Sequence, residues 1–183
     1  MMTMTNNKRR FLSYELGLLT LKAALSTRDG EYPIYDKGSK TYQRSNAKRV
    51  IRDLLAEIET KYSQNNISEI EHVDFIAEVA ANLSNKLTRY LHNGKFRVGV
   101  AQKLVNVHLK YLWTAGFCPE PLHCPIDGII RDIAGIGYTW TQSDSIEEYK
   151  AAIADLKAIA GTKGQTLAQW ELDTFRRRED EEL

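Results

Sequence analysis

The sequence predicts an all-α protein of about seven helices, and three observations carry that expectation. Apolar residues recur at helical spacing through most of the chain. Strand-like alternation is nearly absent. Glycine, proline and capping residues fall between the periodic runs. The 183 residues fit one domain, or two helical lobes sharing a core. An apolar fraction of 43% and a charged fraction of 27% belong to a globular chain and exclude a disordered or fibrous one.

The first helix is expected over residues 11–25, with Leu12, Leu16, Leu19 and Leu21 among its apolar positions. Residues 27–40 hold Gly30, Pro33 and Gly38 and read as a loop. A second helix over 42–62 places Val50, Leu54, Leu55 and Ile58 on a buried stripe, and Asn65-Asn66 breaks it. Ser68 and Glu71 make a capping box for a third helix that reaches Leu91 and stops at Asn93-Gly94. A linker over 95–98 leads to a fourth helix over 99–115, closed by Gly116. Pro125 suits the first turn of a fifth, which ends near Gly135-Ile136-Gly137. Ser145 with Glu148 starts a sixth that runs to about Ala160. After Gly161 and Gly164 comes a last helix with Leu167, Trp170, Leu172 and Phe175, and a solvated Glu-Asp-Glu-Glu tail.

Composition narrows the function. No apolar stretch is long enough to cross a bilayer, and the polar, then basic, first ten residues lack the apolar core of a signal peptide. Two cysteines cannot hold an iron–sulfur cluster or a disulfide framework. A cytoplasmic protein follows. The net charge of +1 hides an asymmetry: residues 1–103 sum to +6 and residues 104–183 to −5. Between Glu78 and Glu120 there is no carboxylate, while Lys86, Arg89, Lys95, Arg97, Lys103 and Lys110 fall there. Six cations in one segment suit nucleic-acid phosphates, although an ordinary solvated face would look the same.

The chemistry concentrates in Gly99-Val100-Ala101-Gln102-Lys103-Leu104-Val105-Asn106-Val107-His108-Leu109. A helix that starts after a short turn presents backbone N–H groups suited to a phosphate, and Lys95, Arg97 and Lys103 would reinforce it. On a helical wheel Lys103 lines up with Asn106 and Lys110, away from Leu104, Val105, Leu109 and Leu112. Lys103 is then either a solvated lysine or an amine nucleophile. Asp127 follows Pro125-Ile126 and is the first carboxylate after Glu120. At a helix start it is either an ordinary cap or a catalytic carboxylate.

The run Gly99-Val100-Ala101-Gln102-Lys103-Leu104-Val105-Asn106 resembles the Gly-Val-Gly-x-Lys-x-x-Asn hairpin of helix-hairpin-helix DNA glycosylases, and Pro125-Ile126-Asp127 resembles their Pro-Val-Asp. The likeness covers roughly residues 87–136. Ala101 stands where a second glycine is usual, Ile129 where a histidine often follows, and no Leu-Pro precedes Gly99. The long stretch from Lys103 to Asp127 and the lack of cluster cysteines bring it nearer the archaeal 8-oxoguanine glycosylase branch. The resemblance implies a helix-hairpin-helix glycosylase-like bundle in which Lys103 attacks the sugar C1′ and Asp127 assists. It also implies that Lys95, Arg97, Gly99, Ala101 and Gln102 contact DNA.

Other residues complete the expectation. Trp140 and Trp170 are chosen as walls of a base pocket over Trp113 and Tyr138, since a flipped base needs stacking surfaces. Cys118, His123 and Cys124, with His108, lack a CxxC pair, so buried thiols and a loop histidine are preferred to a metal site. Arg44, Lys48, Arg49 and Arg52 make either a second phosphate-contacting face or the wet side of the second helix. The expected protein is a monomeric DNA glycosylase/AP lyase that excises a modified base through a lysine Schiff base, with DNA as partner and no cofactor, nucleotide or metal. The alternatives are a non-catalytic DNA-binding or regulatory helical protein, and an adaptor for an acidic protein.

Overall fold

The computed structural model describes residues 6–64 and 66–176; Asn65 and the acidic tail lie outside them. Among the described residues there are seven α-helices and no strand: α1 (Asn6–Ala24), α2 (Thr41–Gln64), α3 (Glu69–Leu87), α4 (Val98–Thr114), α5 (Gly128–Ala134), α6 (Ile146–Thr162) and α7 (Leu167–Thr174). No helix among the described residues is long and apolar enough to cross a membrane.

The helix starts follow local chemistry. At α3 the Ser68 hydroxyl accepts from Glu71 N–H and the Glu71 carboxylate from Ser68 N–H, the full capping box. Ser145 likewise accepts from Glu148 N–H, but the Glu148 carboxylate turns to the Ser143 hydroxyl at 2.6 Å, so α6 has half a box. Three boundaries differ from expectation by more than two residues, and the first is α1, which begins at Asn6 and not at residue 11. The third helix ends at Leu87, whose φ and ψ (−118° and 11°) leave the helical region, and the chain goes on as 3₁₀ turns Thr88–Tyr90 and His92–Gly94, the second closed by positive φ at Asn93 and Gly94 (53° and 69°). Pro125 lies ahead of α5, and Asp127 caps that helix in its stead.

The centre of the fold is α4, packed against α1, α2, α3 and α6. Every residue from 98 to 109 is buried. Ile51, Leu55 and Ile58 of α2, Ile76 and Leu83 of α3, and Tyr149, Ile153 and Leu156 of α6 supply much of the surrounding apolar wall. A helix buried on all sides is ordinarily apolar all round, yet Gln102, Lys103, Asn106 and His108 lie inside this one. Each polar group there needs a partner, since burial without one costs a few kcal/mol (~1–3). Those partners define the site.

Candidate functional site

The start of α4 is closed by the chain itself. Val98 N–H donates to Asp144 Oδ1 at 3.3 Å and Gly99 N–H to the Ser143 carbonyl at 2.9 Å. Val100 and Ala101 N–H groups both donate to the Arg97 carbonyl at 3.0 Å. The Arg97 guanidinium is buried and donates to the carbonyls of Thr141 (2.6 Å), Tyr32 (3.0 Å) and Pro33 (3.0 Å). Lys95 Nζ pairs with Asp144 at 2.7 Å. The phosphate cradle expected from Lys95, Arg97, Gly99, Ala101 and Gln102 is therefore corrected. An anion does sit at this helix start, as helix-terminus electrostatics favours, but it is the Asp144 carboxylate.

Gly99 has a different reason to be glycine. A Cβ built on it would lie 2.0 Å from the Trp140 carbonyl oxygen. The missing side chain lets loop 139–144 lie directly on α4. Trp140 then reaches Lys103, whose Nζ is 4.0 Å from the indole ring centroid and whose side chain is buried. A cation over an indole face is attracted by the ring quadrupole.

Asp127 stands at the start of α5 and is tied to α4 through the residue before it. Its Oδ1 accepts from Ile129 N–H (2.9 Å) and Ile130 N–H (3.0 Å), which caps α5. Its position is set by Gln102, whose amide holds the Ile126 peptide at both ends. Gln102 Nε2 donates to the Ile126 carbonyl at 2.7 Å, and Ile126 N–H donates to Gln102 Oε1 at 3.2 Å. Lys103 and Asp127 thus each follow one member of a directly bonded pair. Gln102 is a clamp on the Asp127 segment, not a DNA contact.

Behind the clamp runs a buried polar chain. Asn106 donates to Gln102 Oε1 (3.4 Å) and to Tyr149 Oη (3.0 Å), and its Oδ1 meets His72 Nε2 at 3.0 Å. His72 Nδ1 meets Tyr62 Oη at 2.7 Å. Tyr149 Oη meets His123 Nδ1 at 2.7 Å, and His123 Nε2 meets Glu69 at 3.1 Å, where Lys157 pairs with the same carboxylate. The relay links the surface of α3 and α6 to the peptide that carries Asp127. A side-chain chain of this kind rigidifies what it holds only while every member is satisfied.

On the Lys103 side of α4, Lys110 pairs with Glu171 at 2.9 Å and lies 4.4 Å from the Phe175 ring. Burial pushes the Glu171 carboxyl up, and the Lys110 ammonium holds it back. Trp170, expected as a pocket wall, is 1% exposed and belongs to the core between helices. Among the described residues no three His, Cys, Asp or Glu side chains converge on a metal position. His108 is engaged with Thr20 at 3.0 Å and His123 with Tyr149 and Glu69. Burial raises the Cys118 thiol to about 11 and Cys124 well above its usual range, so both are protonated at neutral pH. A groove of about 560 Å³ is lined by Ile136, Tyr138, Asp144, Glu148 and Asp155, with neither Lys103 nor Asp127 among its walls.

Burial also keeps three histidines neutral, holding His72 at about 3 and His108 and His123 at about 4. In the unfolded chain each titrates near 6.5, so between about pH 4 and 6.5 the unfolded state binds more protons. Stability is then full above about pH 6.5 and lost as the pH falls toward about 4, on the order of 1–3 kcal/mol per histidine. Urea denaturation at about pH 7 and about pH 5 checks this. His123→Gln should flatten the slope, and equal stability at both pH values would contradict neutral buried imidazoles.

No family model, curated protein or solved structure matches this chain. Its sequence alone therefore pointed to Lys103, Asp127 and Trp140, while Asp144, Gln102 as a clamp, and the partners Tyr149, His72 and Glu69 came from the fold. One signal for the relay was present: Gln102 and Asn106 stand four residues apart in an otherwise apolar run.

Proposed function

We propose that this chain is a DNA glycosylase with lyase activity, in which Lys103 is the nucleophile and Asp127 the assisting carboxylate. One observation carries the proposal: a buried lysine amine on the central helix, 4.0 Å from an indole centroid, one residue after the Gln102 that clamps the residue before Asp127. Amines that attack sugar carbons need a fixed position, a way to shed a proton, and a nearby anion for the developing cation.

In the proposed reaction the deprotonated amine attacks C1′ of a flipped nucleotide. The glycosidic bond breaks and the base departs with the bonding pair and a proton. Ring opening then moves the C1′–O4′ pair to oxygen, which is protonated, and leaves an iminium between C1′ and Nζ. Loss of a C2′ proton expels the 3′ phosphate. Asp127 supports the cationic stages. Because Trp140 covers the amine, a nucleotide reaches it only when the ring moves aside, and the displaced base then has an aromatic face on which to stack.

Borohydride reduction tests the proposal, since it converts the iminium to a stable secondary amine. The intact chain, mixed with duplexes bearing an abasic site or a panel of oxidised, alkylated and deaminated bases, is expected to give a covalent adduct that maps to Lys103. Salt-dependent binding to DNA with no adduct on the abasic duplex would replace the enzyme reading by that of a non-catalytic DNA-binding protein, which the covered amine and self-capped α4 would suit.

A further inference from the structure

Two segments of the sequence carry many cations and no carboxylate. One is residues 79–119; the other is residues 37–52, with Lys37, Lys40, Arg44, Lys48, Arg49 and Arg52. The fold joins them. Asp36 N–H donates to the Tyr90 carbonyl at 2.9 Å, the Ser39 hydroxyl to the same carbonyl at 3.0 Å, and His92 N–H to the Ile34 carbonyl at 3.0 Å, around a Tyr35–Leu91 bridge. These bonds bring Lys37, Lys40 and Arg44 to the same end of the bundle as Lys86 and Arg89.

All five side chains are exposed, and none is paired with a carboxylate among the described residues. The Arg44 guanidinium lies 5.7 Å from the Tyr35 ring centroid, which gives it a preferred place. The carboxylates nearby are largely occupied: Asp29 accepts from Thr141 and from backbone N–H groups, Asp144 from Lys95 and Val98, and Asp36 from Gly38 N–H. Glu31 is exposed. Five mutually repelling cations held by backbone bonds are an electrostatic cost that an anionic partner offsets.

We infer that this end of the bundle, formed by Lys37, Lys40, Arg44, Lys86 and Arg89, is the docking surface for nucleic-acid phosphates. Arg44 also begins a line with Lys48 and Arg52 at four-residue spacing along α2, about 6 Å apart on the axis, which suits a charged polymer backbone. The surface is at the N-terminal end of α4, the end that carries Lys103, and the loop 29–33 beside it is tied through Arg97 to loop 139–144. Tyr42 is the one exposed large apolar side chain within residues 25–44 and 86–97, whereas membrane-surface binding draws on an apolar face.

The inference rests on DNA being the partner, as proposed above, and not on chemistry at Lys103. The test measures binding of the intact chain to a fluorescent duplex across a salt series. Lys37→Glu with Arg44→Glu, and separately Lys86→Glu with Arg89→Glu, should each weaken binding at least tenfold. Each pair should also lower the slope of log K against log salt by about two. Lys150→Glu with Lys163→Glu, on α6 and just beyond it, should leave both unchanged. Circular dichroism melts establish that the variants fold. Wild-type affinity and slope in both basic pairs would overturn the inference. So would stronger binding to phosphatidylserine vesicles than to DNA, lost in the same variants. Intact binding without a borohydride adduct would overturn the enzyme reading alone.

Discussion

Gly99→Ala is expected to destabilise the fold by about 3 kcal/mol or more, which for a chain of this size lowers Tm by roughly 10 °C. The added methyl would meet the Trp140 carbonyl oxygen at 2.0 Å, its carbon at 2.8 Å and its Cα at 3.0 Å. All three are backbone atoms, and no side-chain rotation relieves the clash. Loop 139–144 must move off α4, and with it go the Gly99–Ser143, Arg97–Thr141 and Val98–Asp144 bonds. Gly161→Ala is the matching control. That glycine lies within α6 with nothing inside 4 Å of an added Cβ, so alanine should stabilise by about 0.5–1 kcal/mol. Thermal and urea melts of the two variants measure the contrast. Were Gly99 a phosphate cradle, alanine would leave the melt unchanged and weaken DNA binding only.

Lys103→Gln should remove borohydride trapping and strand nicking altogether, a loss of at least about a thousandfold, because no amine remains to form the iminium. Its DNA binding should weaken only slightly, since the proposed phosphate contacts lie at Lys37, Lys40, Arg44, Lys86 and Arg89. Asp127→Asn isolates the carboxylate. Asparagine caps a helix about as well as aspartate, so the bonds to Ile129 and Ile130 are kept and the fold should lose less than about 1 kcal/mol. Its binding should be unchanged or tighter, as a negative charge is gone. Its rate of base release should fall by about a hundredfold, because the sugar cation loses its counter-charge. Single-turnover assays of the purified, folded variants read each step. Wild-type release and trapping by both would end the glycosylase proposal.

The elements were readable because their signals are local. The Ser68–Glu71 box, the Gly135 stop at φ 67° and the apolar periodicity of α2 and α6 depend on residues within a few turns of each other. Pro125 misled because a proline before a helix and a proline in its first turn look alike in sequence. Here Gln102 takes both backbone polar groups of Ile126, and Asp127, itself extended, takes the cap. Arg97 misled for a similar reason. A basic residue at a helix start suits a phosphate, but its three carbonyl partners lie 44 to 65 positions away.

By itself the sequence determined an all-helical chain, most helix ends, an acid-free basic segment and the short motifs around Lys103 and Asp127. These follow from periodicity, capping and composition, which a linear chain carries in full. The tertiary structure alone decided that α4 is buried on every side, so that Gln102, Asn106 and His108 became internal partners and not a wet face. It decided too that Gly99 serves loop packing, that Asp144 fills the anion position at α4, and that residues 37–44 join 86–89 in one basic end. Each of these depends on which distant groups satisfy a buried donor or acceptor, and a buried polar group takes its partner from the packed neighbour, not from the chain on either side.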